Sequence, residues 1–244
     1  MTGREAKRGG PDRSRWETGK SSELKFWAAW LSSGGLGWPD DYRQRQDPQT
    51  PLAPHLSRLA LSFKGPRIRV LDVGAGPLTR LGKVVPGRVL ELTAVDAMAL
   101  DYDRLLARAG VTPLVRSRPL ESERLTERLP RDHFDLSYAV NTLDHSIDPI
   151  LCIDGMIAVT RPGGLIVLEH ASDEAERERY EGFHQWNLRR EGDDLIVWRV
   201  GSRRSVRAAT AHRASVVELG EDPETAYAVL RKHLPLGSPA SVRS

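Results

Sequence analysis

The chain has 244 residues, enough for one full α/β domain with its own core, and carries a formal net charge of +3. A single cysteine, Cys152, excludes an internal disulfide; it fits a reducing compartment and is expected to pack in a helix. There is no apolar run of about 18 residues and no signal-peptide pattern, so a cytoplasmic protein without a membrane partner is expected.

The charge excess is confined to one end. Arg4, Lys7, Arg8, Arg13, Arg15 and Lys20 face only Glu5, Asp12 and Glu17, which leaves 30 basic and 30 acidic residues elsewhere (36 less 6, and 33 less 3). Residues 1–20 therefore read as a disordered basic tail on a neutral body, and no nucleic-acid partner is expected. Residues 21–63 form an aromatic, helical segment in which Phe26, Trp27 and Trp30 have the spacing of a helix packed on the main domain. After a hinge-like Ser32-Ser33-Gly34-Gly35-Leu36-Gly37, the stretch from Trp38 through Tyr42, Arg43 and Arg45 mixes rings with guanidinium groups. It suits a surface helix or a lid over a ligand.

The main domain, 64–235, begins with a run of aliphatic residues, 68–73, typical of a parallel strand covered on both faces. It breaks into Gly74-Ala75-Gly76, where the absence of side chains admits a ligand to the backbone, and Pro77 suits the first position of a following helix. Asp96 closes the next apolar run, 89–95, about 20 residues downstream, where a carboxylate accepts the hydroxyls of an adenosine ribose. Thr79 fills the place where a dinucleotide loop has its third glycine, which disfavours a pyrophosphate. Asp72 is placed to brace the loop or to meet an ammonium group.

Residues 98–109 read as a crossover helix ended by Gly110, and 112–118 as a short third strand. A fourth strand ends near Val140 and Asn141, at the carboxyl edge where open α/β sheets bind ligands, and Asp144 and His145 follow it. His145 is a candidate base or a residue that hydrogen-bonds its own loop. A fifth strand leads to a short charged helix at 173–180 and then to Gly182-Phe183-His184-Gln185-Trp186-Asn187, richer in imidazole, indole and amide than a turn needs. Residues 195–200 and 205–210 flank Gly201-Ser202 as a terminal antiparallel hairpin, 223–233 has helical apolar spacing, and 236–244 reads as a frayed end. No HxH or HExxH spacing occurs, and no metal is expected.

Four stretches together resemble the class I S-adenosylmethionine-dependent methyltransferases. They are Leu71-Asp72-Val73-Gly74-Ala75-Gly76, Ala94-Val95-Asp96-Ala97, Phe134 to Asn141, and Arg161-Pro162-Gly163-Gly164-Leu165-Ile166-Val167. The resemblance implies a Rossmann-like, doubly wound, seven-stranded and mostly parallel sheet with an antiparallel terminal hairpin and an N-terminal helical lid. It implies S-adenosylmethionine as cofactor, held by Asp72, Gly74, Ala75, Gly76, Asp96, Ala97, Val140 and Asn141. Glu121 and Ser122 would meet the adenine, unless the acidic residues there only start a helix, and Tyr42 and Arg45 would meet the methionine carboxylate. Trp38, Asp144 and Trp186 are expected at the acceptor, with His184 or His145 as base; the alternative for Trp186 is simple burial in the core.

The implied activity is transfer of a methyl group to an oxygen or nitrogen of a small polar metabolite or natural-product intermediate, as in bacterial secondary metabolism, by a monomer or homodimer. An RNA or protein methyltransferase, and a cofactor-binding protein of this fold without methyl transfer, are the alternatives.

Overall fold

The computed structural model describes residues 13–235. Three helices come first: α1 (Arg13–Ser33), α2 (Pro39–Gln46) and α3 (Pro54–Leu61). An alternating stretch follows, of β1 (Arg67–Val73), β2 (Val89–Asp96), α4 (Ala99–Ala109), β3 (Arg118–Pro119), α5 (Leu125–Arg128), β4 (Phe134–Val140), α6 (Pro149–Val159) and β5 (Thr160–Ala171). Beyond it lie α7 (Glu174–Arg177), β6 (Asn187–Glu191), β7 (Asp194–Arg199), β8 (Ser202–Ser205), α8 (Val206–Thr210), β9 (Ala214–Leu219) and β10 (Thr225–Lys232).

Seven strands form one sheet in the order β3-β2-β1-β4-β5-β10-β9, in which β10 alone runs antiparallel to its neighbours. This is the Rossmann-like, seven-stranded, mostly parallel architecture with an antiparallel terminal hairpin. Alternate residues of each strand serve opposite faces, as strand geometry requires. Leu71 and Val73 join a core with Ile153, Met156 and Ile157 of α6, while Ile68 and Val70 join a second core with Leu56 and Leu59 of α3. Asp148 caps α6 by accepting from the Ile150 and Leu151 amides.

The structure corrects several expectations. Residues 13–20 are helical, part of α1, so the reading of 1–20 as disordered fails for them; 1–12 and the end at 236–244 lie outside the described residues. Pro77 starts no helix. The β1–β2 connection, 77–88, carries Pro77, Gly82, Pro86 and Gly87, and it packs backbone to backbone against 50–52 instead. The Lys83 amide donates to Thr50 O (2.7 Å) and the Leu52 amide to Val84 O (2.9 Å), and a Cβ on Gly82 would lie 2.0 Å from Pro51 O. The helix that covers this face is α3, supplied from upstream.

The stretch 223–233 is not a helix but contains β10. Ala226, Ala228, Val229 and Leu230 are all buried, and a strand covered on both faces loses the period of two that would have identified it. The third strand is only Arg118–Pro119. The Gly201 turn does join a hairpin, β7–β8, but this belongs to a separate three-stranded sheet with β6, and 206–210 is the helix α8. The hairpin that completes the main sheet is β9–β10.

Candidate active site

A cavity of about 730 Å³ opens at the carboxyl ends of β1, β2 and β4, within the range of small-molecule sites. The loop after β1 is its floor. The Gly74 and Ala75 amides both donate to Val95 O (2.9 and 3.1 Å), the Gly76 amide to Asp96 Oδ2 (3.0 Å), and the Met98 amide to Asp96 Oδ1 (2.8 Å). Asp96 thus ties the ends of β1 and β2 together and keeps further lone pairs for a ligand. Burial raises its pKa to about 6, against the pull of the Met98 and Gly76 amides. Gly74 has φ +70°, and a Cβ there would fall 1.9 Å from Thr142 Oγ1, where the loop after β4 crosses it.

Asp72 sits beneath this loop, 2% exposed. Thr79 Oγ1 donates to its Oδ2 at 2.5 Å, and its Oδ1 has no partner among the described residues. Burial lifts this carboxyl to about 6 in spite of the Thr79 hydroxyl and nearby Arg45. The residue in the third-glycine place therefore acts as a brace for an acidic side chain rather than as a spacer for helix packing.

Among the residues expected at the cofactor, Asp72, Gly74, Ala75, Gly76, Asp96, Ala97, Glu121, Ser122, Val140, Asn141 and Arg45 line the cavity. Tyr42 does not: its ring packs edge-on against Trp30 at 5.0 Å, in a small core with Leu31 and Leu78. Arg45 is held by Asp41 Oδ2 and Leu78 O, both at 2.9 Å, with its guanidinium over the Trp30 ring. Arg80, which carries no local sequence signal, also lines the cavity, and among the described residues its side chain makes no hydrogen bond or ion pair. Glu123 turns its carboxylate to the Ile147 amide at 2.7 Å, so it organises the loop after β4. Asn141, at φ +42°, accepts the Ala171 amide at 2.9 Å.

The other end of the cavity is built on Asp144, His145 and His184. Asp144 is buried; its Oδ2 lies 2.7 Å from His184 Nδ1 and 3.2 Å from His145 Nε2, and both imidazoles line the cavity. Burial opposes ionisation of Asp144, but the two imidazoles outweigh it and hold the carboxyl well below the usual range. Burial likewise opposes protonation of His145, and Asp144 reverses this, pushing His145 up to about 9. Protonated at neutral pH, His145 donates rather than accepts. His170 is buried nearby with neither nitrogen partnered among the described residues, and burial lowers it to about 4.

Two acceptor-site expectations change, those for Asp144, which lies behind the imidazoles and off the cavity wall, and for Trp186. Trp38 does line the cavity, at 60% exposure. Trp186 is no pocket wall: it is 2% exposed in the main core, its Nε1 donates to Ile147 O (3.3 Å), and Arg199 and Arg204 lie over its ring. Its neighbour Phe183 lines the cavity in its stead and stacks on Trp16 of α1 at 5.3 Å. Trp16, Glu23, Phe26 and Trp27 make α1 the roof, with Trp27 against Gly76; helical spacing signalled the helix but not that one edge of it faces a ligand space. Glu174, Glu178 and Glu181 add an acidic rim.

No protein-family profile matches the chain, and no curated protein matches it. Its fold is similar to those of many solved structures, two of which follow. The CurJ carbon methyltransferase superposes with a TM-score of 0.54 at 17% identity, over 73% of this chain and 52% of that one. The [4+2]-cyclase SpnF superposes with a TM-score of 0.54 at 14% identity, over 90% of this chain and 96% of that one. The chain thus spans about half of the first and nearly all of the second, and both likenesses concern the fold. Among the described residues no helix is long and apolar enough to cross a membrane.

Proposed function

We propose that the protein is an S-adenosylmethionine-dependent methyltransferase acting on an oxygen or nitrogen of a small polar metabolite. The observation that carries this reading is one continuous cavity with an Asp96-organised glycine loop at one end and the Asp144 imidazole cluster at the other. S-adenosylmethionine, when bound, supplies a methyl group on a sulfonium, whose displacement demands mainly positioning and exclusion of water.

The residues present fit that cofactor. Asp96 keeps lone pairs for the two ribose hydroxyls, and Glu121 and Ser122 lie where the adenine edge is expected. Asp72 offers its unpartnered oxygen to an ammonium, and Arg80, together with Arg45, offers guanidinium donors to a carboxylate. α1, which begins before the proposed lid segment 21–63 and runs into it, excludes water from above. At the far end His145 donates to an acceptor, and His184 takes its proton.

The rim favours a small molecule over RNA. Glu23, Glu121, Glu123, Glu174, Glu178 and Glu181 line the cavity against Arg45 and Arg80, a field that repels phosphates. Calorimetric titration with S-adenosylmethionine, followed by mass-spectrometric detection of S-adenosylhomocysteine across a panel of amines and alcohols, tests the reading. Absence of cofactor binding would sink it. Binding without product across the panel would favour the second reading, a cofactor-binding protein with other chemistry. That reading has one support: the protein matched over nearly its whole length is named a cyclase.

Arg80→Ala is expected to weaken S-adenosylmethionine binding about tenfold to a hundredfold, the value of a charge-assisted hydrogen bond of about 1.5–3 kcal/mol. The melting temperature of the free protein should stay put, since among the described residues the Arg80 side chain makes no hydrogen bond or ion pair. An unchanged dissociation constant would remove Arg80 from the site.

A further inference from the structure

We propose that Asp144, His145 and His184 form a site for one divalent transition-metal ion of the Mn²⁺ to Zn²⁺ series, with open coordination positions facing the cavity. The three side chains come from two separate segments, the single helical turn Leu143–His145 after β4 and the loop before β6. Their donor atoms converge. Asp144 Oδ2, His145 Nε2 and His184 Nδ1 form a triangle with edges of 2.7, 3.2 and 3.3 Å. Ligand bonds of about 2.1 Å separate adjacent donors by about 3.0 Å around an octahedral ion and about 3.4 Å around a tetrahedral one. The triangle is one face of such a polyhedron.

A second observation is independent of the imidazoles. Asp144 Oδ1 is buried without a partner among the described residues, and so is Glu174 Oε2, whose carboxyl senses Asp144, His184 and His145 electrostatically. These two buried carboxylate oxygens, unsatisfied beside the two imidazoles, are lone pairs that a bound cation would complete. Two nitrogens and one carboxylate on one face suit the borderline transition metals, whereas Ca²⁺ and Mg²⁺ favour all-oxygen shells. Three protein ligands with open positions are the mark of a reactive site rather than a structural one.

The ion takes the place of the protons that the imidazoles otherwise share with Asp144, so with the ion bound it is the ion, and no longer His145 and His184, that activates the acceptor. The open positions fall on the cavity side, because His145 and His184 line it while Asp144 lies behind them. On the methyltransferase reading, to which this one consequence is tied, a ligand oxygen of the acceptor fills an open position. The acceptor class is then a hydroxyl compound rather than a simple amine, since a bound ion promotes loss of a hydroxyl proton.

The test uses the full chain, stripped with a chelator and titrated with Co²⁺ and Zn²⁺. One ion per chain is expected, with a Co²⁺ visible spectrum indicating nitrogen ligation. Bound Zn²⁺ should shield His145 and His184, but not His212 and His233, from diethyl pyrocarbonate, a readout that needs no variant. His184→Ala should weaken Zn²⁺ binding about a hundredfold while S-adenosylmethionine affinity is kept. No saturable binding, or binding that leaves His145 and His184 unprotected, overturns the proposal. Cofactor binding without ion binding defeats this inference alone; ion binding without cofactor binding defeats the methyltransferase reading alone.

Discussion

Asp96→Ala is expected to weaken S-adenosylmethionine binding by about two to four orders of magnitude while the protein stays folded. The carboxylate does two jobs at once. Its oxygens take the Gly76 and Met98 amides at 3.0 and 2.8 Å, which fixes the glycine loop against the end of β2. It also faces the cavity, where two ribose hydroxyls would each form a charged hydrogen bond of about 1.5–3 kcal/mol. Losing both gives the stated range at about 1.4 kcal/mol per tenfold change. The fold should survive because Asp96 lies at the carboxyl end of its strand, outside both large cores. Titration calorimetry with circular dichroism as the folding control measures it; affinity within a factor of three of the wild type would refute the ribose role.

The same group sets a pH dependence. Burial raises Asp96 and Asp72 from 3.8 to about 6, so both are ionised only above that pH. Hydroxyl and ammonium donors require the ionised forms. Cofactor affinity should therefore be level above about pH 7 and fall as pH drops through 6, by up to about tenfold per pH unit for each carboxylate. Affinity that is flat from pH 5 to 8 would show that neither carboxylate contacts the ligand.

The main sheet and the cofactor loop were legible because their signals are local. Continuous aliphatic strands, the Gly74-Ala75-Gly76 turn and Asp96 at a fixed distance each state their role within a few residues. What was hidden depends on partners far apart in the chain. α3 replaces the expected β1–β2 helix because 77–88 is full of helix breakers and lies on the backbone of 50–52. β10 passed for a helix because both its faces are buried, which erases the alternation of a half-exposed strand. Asp144, His145 and His184 show no ligand spacing, since 39 residues separate the two histidines and only the fold brings their nitrogens to 3.3 Å. Trp186 lies in the core and Phe183 at the cavity for a similar reason: which of two nearby rings turns inward is set by the strands they pack on, Trp186 joining Leu188, Leu195 and Val197, and not by composition.

Asp72→Asn is expected to act in opposite directions on stability and on binding. In the folded chain this carboxyl is 2% exposed, and its pKa is raised to about 6 from 3.8. The folded state thus holds the proton more tightly than the unfolded chain. Between the two pKa values the unfolded state binds fewer protons, so stability falls as pH rises from about 4 to 6, and the penalty is fully present above that. A shift of about two units corresponds to about 3 kcal/mol. Asparagine keeps the shape and an oxygen for the Thr79 hydroxyl but carries no charge to bury. The free variant should therefore melt several degrees higher than the wild type at pH 7.5 and nearly level with it at pH 4. Its affinity for S-adenosylmethionine should drop at least tenfold at pH 7.5, because the ammonium loses a buried counter-charge at that end of the cavity. Scanning calorimetry at both pH values, with and without cofactor, separates the two effects. A variant that is less stable at pH 7.5, or equally tight in binding, would show that Thr79 and Arg45 already compensate the charge. A stabilised but weak-binding variant would mean that the chain keeps an unfavourable buried carboxylate because a cationic ligand completes it.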